Sequence, residues 1–102
     1  MDALGRENFL VLQTLQASLG LISPEISGIS IQLDGERIVL YFAVRHGAAE
    51  LEEDVEDIIF ELDALLGGKI PLEARVYEGR PNSDWPGRQY RLIYLAKLGA
   101  GG

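Results

Sequence analysis

Two periods of hydrophobic spacing alternate along this chain. Apolar residues at helical spacing predict a first helix over residues 3–19. Its predicted core face consists of Leu4, Phe9, Leu12, Leu15 and Leu19. Residues 26–33 and 37–45 then alternate with a period of two, which predicts two strands. Asp34-Gly35 between them is typical of a hairpin, and we expect a type I′ turn there.

The second half repeats this order of elements. The clearest helical period in the chain predicts a second helix over residues 48–66, and Gly67-Gly68 ends it. Its core face is predicted to be Leu51, Val55, Ile58, Ile59, Leu62, Leu65 and Leu66. A third strand over 70–78, a loop rich in turn residues over 79–87 and a fourth strand over 88–97 follow.

The order α-β-β-α-β-β predicts a single α+β domain over residues 1–98, with a flexible tail at 99–102. Two hairpins suggest a two-layer sandwich in which a four-stranded, mainly antiparallel sheet carries both helices on one face. This is a permuted ferredoxin-like layout. The other sheet face, with Val39, Tyr41 and Tyr77, is expected to be half apolar and open to a partner.

Charge and composition restrict the classes of function. The net charge of −7 argues against nucleic acid as a partner, because phosphate binding needs a basic surface. No apolar run approaches the ~18 residues that cross a membrane. The first residues lack a basic and then apolar leader, so we expect a cytoplasmic protein. The absence of cysteine excludes disulfides and thiolate sites.

Catalytic motifs have little support in this sequence. The single histidine, His46, lies in a predicted loop, and no Gly-x-Ser-x-Gly elbow, metal-ligand spacing or phosphate-binding loop accompanies it. We therefore predict a protein that is not an enzyme, with no catalytic residue, no metal and no cofactor.

The second helix holds nearly all of the net charge. Eight acids and no Lys or Arg lie between residues 50 and 63: Glu50, Glu52, Glu53, Asp54, Glu56, Asp57, Glu61 and Asp63. The remaining eight acids face nine bases, so the rest of the chain is close to neutral. Like charges spaced i,i+4 cost the helix on the order of 1–2 kcal/mol in total. The face is either an ordinary solvated one or a field that attracts a basic partner.

Two aromatic residues are candidate anchors for a partner. Helical geometry places Phe60 about 140° from the core direction, among the acids. It is either exposed, covered by another part of the chain, or packed in a homodimer. Trp85 is either a plug over the core or a contact residue in its loop. The candidate partner-binding residues are Glu53, Glu56, Asp57, Phe60, Glu61, Asp84 and Trp85.

The stretch LQTLQASLGLISPEISGISIQLDGERIVLYF, an acidic helix and the final YRLIYLAK together resemble small bacterial immunity proteins of polymorphic-toxin and contact-dependent inhibition systems. The resemblance covers roughly residues 9–97 and includes no catalytic motif. It implies a non-catalytic protein that neutralises a basic toxin domain, with a nuclease as the expected toxin.

Two other functions stay open. The first is a homo-oligomeric regulatory or scaffold domain that associates through the open sheet face around Tyr41. The second is a domain that binds a small ligand in a pocket near His46. The charge pattern favours neither of these two but a protein that binds and neutralises a basic partner through its acidic helix.

Overall fold

A computed structural model gives the fold and describes residues 3–18, 25–45 and 51–96. The elements are α1 (Ala3–Ser18), β1 (Ile26–Asp34), β2 (Arg37–Val44), α2 (Leu51–Leu65), β3 (Leu72–Glu78), a 3₁₀ turn (Pro86–Gln89) and β4 (Arg91–Leu95). The predicted α+β class, with two helices and a four-stranded sheet, is confirmed. His46 and the predicted tail at 99–102 lie outside the described residues.

Strand β2 lies inside the sheet, whose strand order is β3-β2-β1-β4. After Arg37 every residue of β2 is apolar or tyrosine, and all seven are buried. Alternate side chains of a strand point to opposite faces of the sheet, so both faces of β2 must be covered. Ile38, Leu40 and Phe42 face the helices, whereas Val39 and Tyr41 face the opposite side.

The predicted mainly antiparallel sheet is wrong, because the sheet is mixed. Strand β3 pairs with β2 in parallel, from Ile38 opposite Leu72 to Val44 opposite Glu78. Parallel neighbours need a crossover connection, and α2 supplies it. Strand β4 pairs with β1 at the other edge, with Ile29 opposite Tyr94. There is thus no second hairpin among the described strands, and their order does not confirm a permuted ferredoxin-like layout.

The first hairpin is confirmed, but its turn differs from the expectation. β1 and β2 pair in antiparallel register up to Asp34 opposite Arg37, so Gly35 and Glu36 form the two-residue loop. Gly35 has φ +64°, and no residue other than glycine has a positive φ in the described part of the chain. A positive φ at the first central position alone is the pattern of a type II′ turn, so the predicted type I′ turn is wrong. The Arg37 guanidinium donates to Asp34 Oδ2 across the loop at 2.7 Å.

The predicted core face of α2 is correct in its main positions. Val55, Ile58 and Leu62 are buried, and Ile59 and Leu66 pack partly against the same cluster. Leu65 is instead 41% exposed. The burial of three well-spaced apolar side chains holds the helix on the sheet.

The predicted core face of α1 is wrong. Phe9, Leu12 and Leu15 are among the exposed large hydrophobic residues. The buried side of α1 consists of Leu10, Val11, Thr14, Ala17 and Ser18. The Thr14 hydroxyl donates to the Leu10 carbonyl at 2.7 Å, and the Ser18 hydroxyl donates to the Thr14 carbonyl at 2.8 Å. Because these hydroxyls bond within the helix, they can be buried without an unsatisfied group.

The sheet face opposite the helices is not open around β2, which corrects a second expectation. The loop after β3 returns over this face and places Trp85 on Val39, Tyr41 and Ala43. The Ser30 hydroxyl fixes the loop by donating to the Gly87 carbonyl at 2.7 Å. A Cβ at position 87 would come within 2.5 Å of Ser30 Oγ and of Tyr41 Cβ, so only glycine fits there without rearrangement.

Truncation of Trp85 should therefore lower the free energy of unfolding much more than truncation of an exposed aromatic residue does. We expect Trp85→Ala to lower the free energy of unfolding by about 3–5 kcal/mol, because it leaves a large cavity on the sheet. The matched control Phe60→Ala should change it by less than about 0.5 kcal/mol. Urea unfolding followed by circular dichroism measures both. Equal losses in the two variants would contradict the buried placement of Trp85.

Candidate protein-binding site

The outward side of α2 presents carboxylates without cations. Glu53, Glu56, Asp57, Glu61 and Asp63 are exposed. Among the described residues, none of these carboxylates has an ion pair; the pairs that the structure shows involve Asp34 and Glu73 with Arg37 and Arg75. The helix thus carries a one-signed field on its solvent side, and its core contacts are made by other positions.

Phe60 is the exposed aromatic that the helical period predicts. It is 70% exposed, the most exposed of the large hydrophobic residues that the structure describes. Glu56 and Asp57 precede it by four and three positions, and Asp63 follows it by three, so one helical turn on each side supplies carboxylates. The described parts of the chain do not cover the ring, and packing in a homodimer stays a prediction.

A groove runs between α2 and the start of β3, next to Phe60. Its volume is about 660 Å³. The residues that line it are Val55, Glu56, Ile59, Phe60, Asp63, Gly68, Lys69, Ile70, Pro71, Leu72 and Ala74. Most of this lining is apolar, with Glu56 and Asp63 on the helix and Lys69 opposite them. Such a surface suits an amphipathic side chain that has an apolar stem and a charged end.

The groove exists because α2 does not cover β3 fully. Leu72, Ala74 and Val76 lie opposite Ile38, Leu40 and Phe42 in the parallel register, so their side chains point to the helix side. Ala74 is nevertheless exposed, and Val76 is 52% exposed. An apolar strip along the edge strand therefore faces solvent beside the acidic helix.

Sequence reasoning found the helix wall of this groove but missed the strand wall. Glu56 and Phe60 line the groove, whereas Glu53, Asp57 and Glu61 lie on α2 outside it. Lys69, Ile70 and Leu72 were not predicted to take part. One signal in the sequence could have indicated the strand wall: a helix separates β2 from β3. A helical crossover can place the third strand parallel to β2 and beside it, with α2 lying over the pair.

The two other predicted residues lie elsewhere. Trp85 is 1% exposed and packs on the sheet face opposite α2, so its ring is a plug and not a contact residue. Asp84 is exposed in the same loop, where its backbone N–H donates to Asn82 Oδ1 at 3.0 Å. Phe60 and Trp85 cannot belong to one contact surface, because the sheet separates them.

The described residues contain neither a cluster that could hold a metal ion nor a helix that could cross a membrane. No group of three or more His, Asp or Glu side chains in residues 3–18, 25–45 and 51–96 could hold a metal ion. None of the described helices is long and apolar enough to cross a membrane. The pocket suggested near His46 falls on a residue that the structure does not describe.

Known proteins do not assign the chain to a family: no protein-family model matches it, and no curated protein matches it. The similarity to immunity proteins therefore remains a resemblance of sequence pattern.

On the opposite sheet face, Tyr41 makes a second cluster of aromatic residues. Its ring stacks on Tyr90 with the centroids 4.9 Å apart, and its hydroxyl donates to Gln32 Oε1 at 2.7 Å. The Arg75 guanidinium lies 5.9 Å from the centre of the same ring. Burial raises the pKa of Tyr41, and the neighbouring Tyr90 raises it further.

This shift predicts a loss of stability in alkali. The folded protein retains the Tyr41 proton longer than the unfolded chain, in which the tyrosine pKa is about 10. The stabilisation that protonated Tyr41 contributes to the fold is complete below that pH. The free energy of unfolding should therefore fall as the pH rises from there through the folded pKa of Tyr41. Urea unfolding at several pH values between about 8 and 11, a range that brackets the reference pKa, measures how steeply the free energy of unfolding falls with pH. Tyr41→Phe should flatten this dependence, and an unchanged slope in this variant would assign the loss to other groups.

Proposed function

We propose that this protein is a non-catalytic immunity or inhibitor protein that acts in the cytoplasm by binding a basic toxin domain. The expected toxin activity is that of a nuclease, whose substrate-binding cleft is basic. The observation that carries the proposal is the outward side of α2, with its exposed, unpaired carboxylates around an aromatic ring that is 70% exposed.

The carboxylates of α2 would attract the partner over a long range, and the Phe60 ring would bind it at direct contact. A one-signed field raises the rate of encounter with a basic partner, and the effect falls as salt screens the charges. Phe60 would then bury its ring against the partner, as aromatic anchors do at the centre of interfaces. This division suits inhibition without chemistry, because occupation of a basic cleft is sufficient to exclude its substrate.

The oligomeric alternative has less support. It rests on an open sheet face around Tyr41, and the structure covers that residue with the loop that carries Trp85. Tyr41 is only 4% exposed, so it offers no area for a second copy.

Charge reversal on α2 tests the proposal. In cells that co-express the product of the adjacent gene as the candidate toxin, Glu53→Lys with Asp57→Lys should abolish protection. With purified proteins the same pair should slow association at least tenfold at low salt, with a smaller effect at high salt.

The matched control is Glu25→Lys with Glu36→Lys, which makes the same change in net charge at two exposed positions outside α2. It should keep protection and most of the association rate. Equal loss in both double variants would show that net charge matters and the helix face does not. Full protection by the α2 variant would exclude α2 as the interface.

A further inference from the structure

The outer edge of β3 offers free backbone groups at three alternate residues. The Pro71 carbonyl accepts from the Ile38 N–H at 2.9 Å, and the Gly79 N–H donates to the Val44 carbonyl at 2.9 Å. Backbone groups of successive strand residues point to opposite sides, so the odd-numbered positions of β3 face β2. Leu72, Ala74 and Val76 therefore direct N–H and C=O groups away from β2. No described strand pairs with this edge.

Leu72 and Ala74 also line the groove beside Phe60, and Val76 continues the same side of the strand beyond the groove. A strand added at this edge would continue the sheet under the outer side of α2. Its alternate side chains would point into the groove, between the apolar strip of β3 and the Phe60 ring. Backbone pairing and side-chain recognition would thus act on one extended segment, the mode of peptide binding by strand addition.

We propose that β3 and the groove together bind an extended, basic segment of the partner protein as an added strand. The inference rests on the proposed function and names the part of the partner that this site takes. Lys or Arg at alternate positions would lay its methylene stem on Ile59 and Leu72 and reach Glu56 and Asp63 with its charged end. The exposed Phe60 ring gives such a cation a second contact.

Charge also decides against a second copy of this chain as the occupant. Pairing of two β3 edges would bring Glu56 and Asp63 of one copy toward the same carboxylates of the other, and each chain carries a net charge of −7. Lys69 is the single cation in the lining and cannot balance both copies. A basic segment meets one like charge in the lining, Lys69, which the carboxylates of Glu56 and Asp63 outnumber.

Amide hydrogen exchange measured by NMR tests the proposal on the intact protein. The probe is an end-capped eight-residue peptide that alternates Arg and Val. In the free protein the amides of Leu72, Ala74 and Val76 should exchange fast, whereas those of Glu73, Arg75 and Tyr77, which face β2, should be protected. With the peptide at millimolar concentration, exchange at the three outward amides should slow at least threefold, on an alternate-residue pattern.

Two control peptides separate strand pairing from simple charge attraction. A peptide that alternates Arg and Pro has the same charge but lacks half of the N–H groups and cannot form a regular strand. One that alternates Glu and Val can form a strand but has the wrong charge. Neither should slow exchange at the outward amides. Phe60→Ala should weaken binding of the Arg-Val peptide roughly threefold to tenfold, and unchanged thermal unfolding of this variant would show that it still folds.

Three results would overturn the proposal. The first is no slowing at Leu72, Ala74 and Val76 with the Arg-Val peptide. The second is equal slowing with the Arg-Pro peptide, which would leave charge attraction to α2 as the cause. The third is a dimer by light scattering whose outward amides are already protected without peptide, because a second copy would then occupy the edge.

These results are distinguishable from failure of the proposed function. Protection against the toxin and its loss on reversal of Glu53 and Asp57 are measured in cells and do not depend on the peptide. If the alternate amides are protected and the α2 reversal leaves immunity intact, strand binding at β3 is supported and attraction of the toxin by α2 is excluded. If immunity depends on α2 but the amides stay exposed, the partner docks on the helix alone.

Discussion

The structure depends on the need to cover β2 on both faces. Seven consecutive buried residues of this strand leave no polar side for solvent. The two helices supply one cover, and the loop with Trp85 supplies the other. The neighbours of β2 follow from its connections, because the hairpin delivers β1 on one side and the crossover through α2 delivers β3 on the other. Among the described strands, β3 and β4 are the edges of the sheet.

Sequence patterns predicted the elements better than their arrangement. The period of α2 fixed its buried positions because Val55, Ile58 and Leu62 are apolar and their outward neighbours are acids. In α1 two faces have helical spacing, and the core selects the one with Thr14 and Ser18. Their hydroxyls bond to backbone carbonyls four residues earlier, which residue type alone does not reveal.

The arrangement of the sheet was not predictable from turn signals. The loop over 79–87 looks like a hairpin connection, yet it crosses the sheet and places β4 beside β1. What decides this is the fit of Trp85 and Gly87 on the buried face of β2, a contact between distant parts of the chain. For the same reason half of the candidate site was found in advance: Phe60 follows from helical geometry, whereas the strip on β3 follows from tertiary pairing.

The two sides of α2 have separate tasks, and this has an evolutionary consequence. Its inward positions fix the helix on the sheet, and its exposed positions make no contribution to the core. Substitutions at the exposed positions therefore leave the fold intact while they alter charge and shape toward a partner. Under the proposed function, a few substitutions on this one helix would change which partner the protein binds, and the fold would tolerate each of them before the new partner is met.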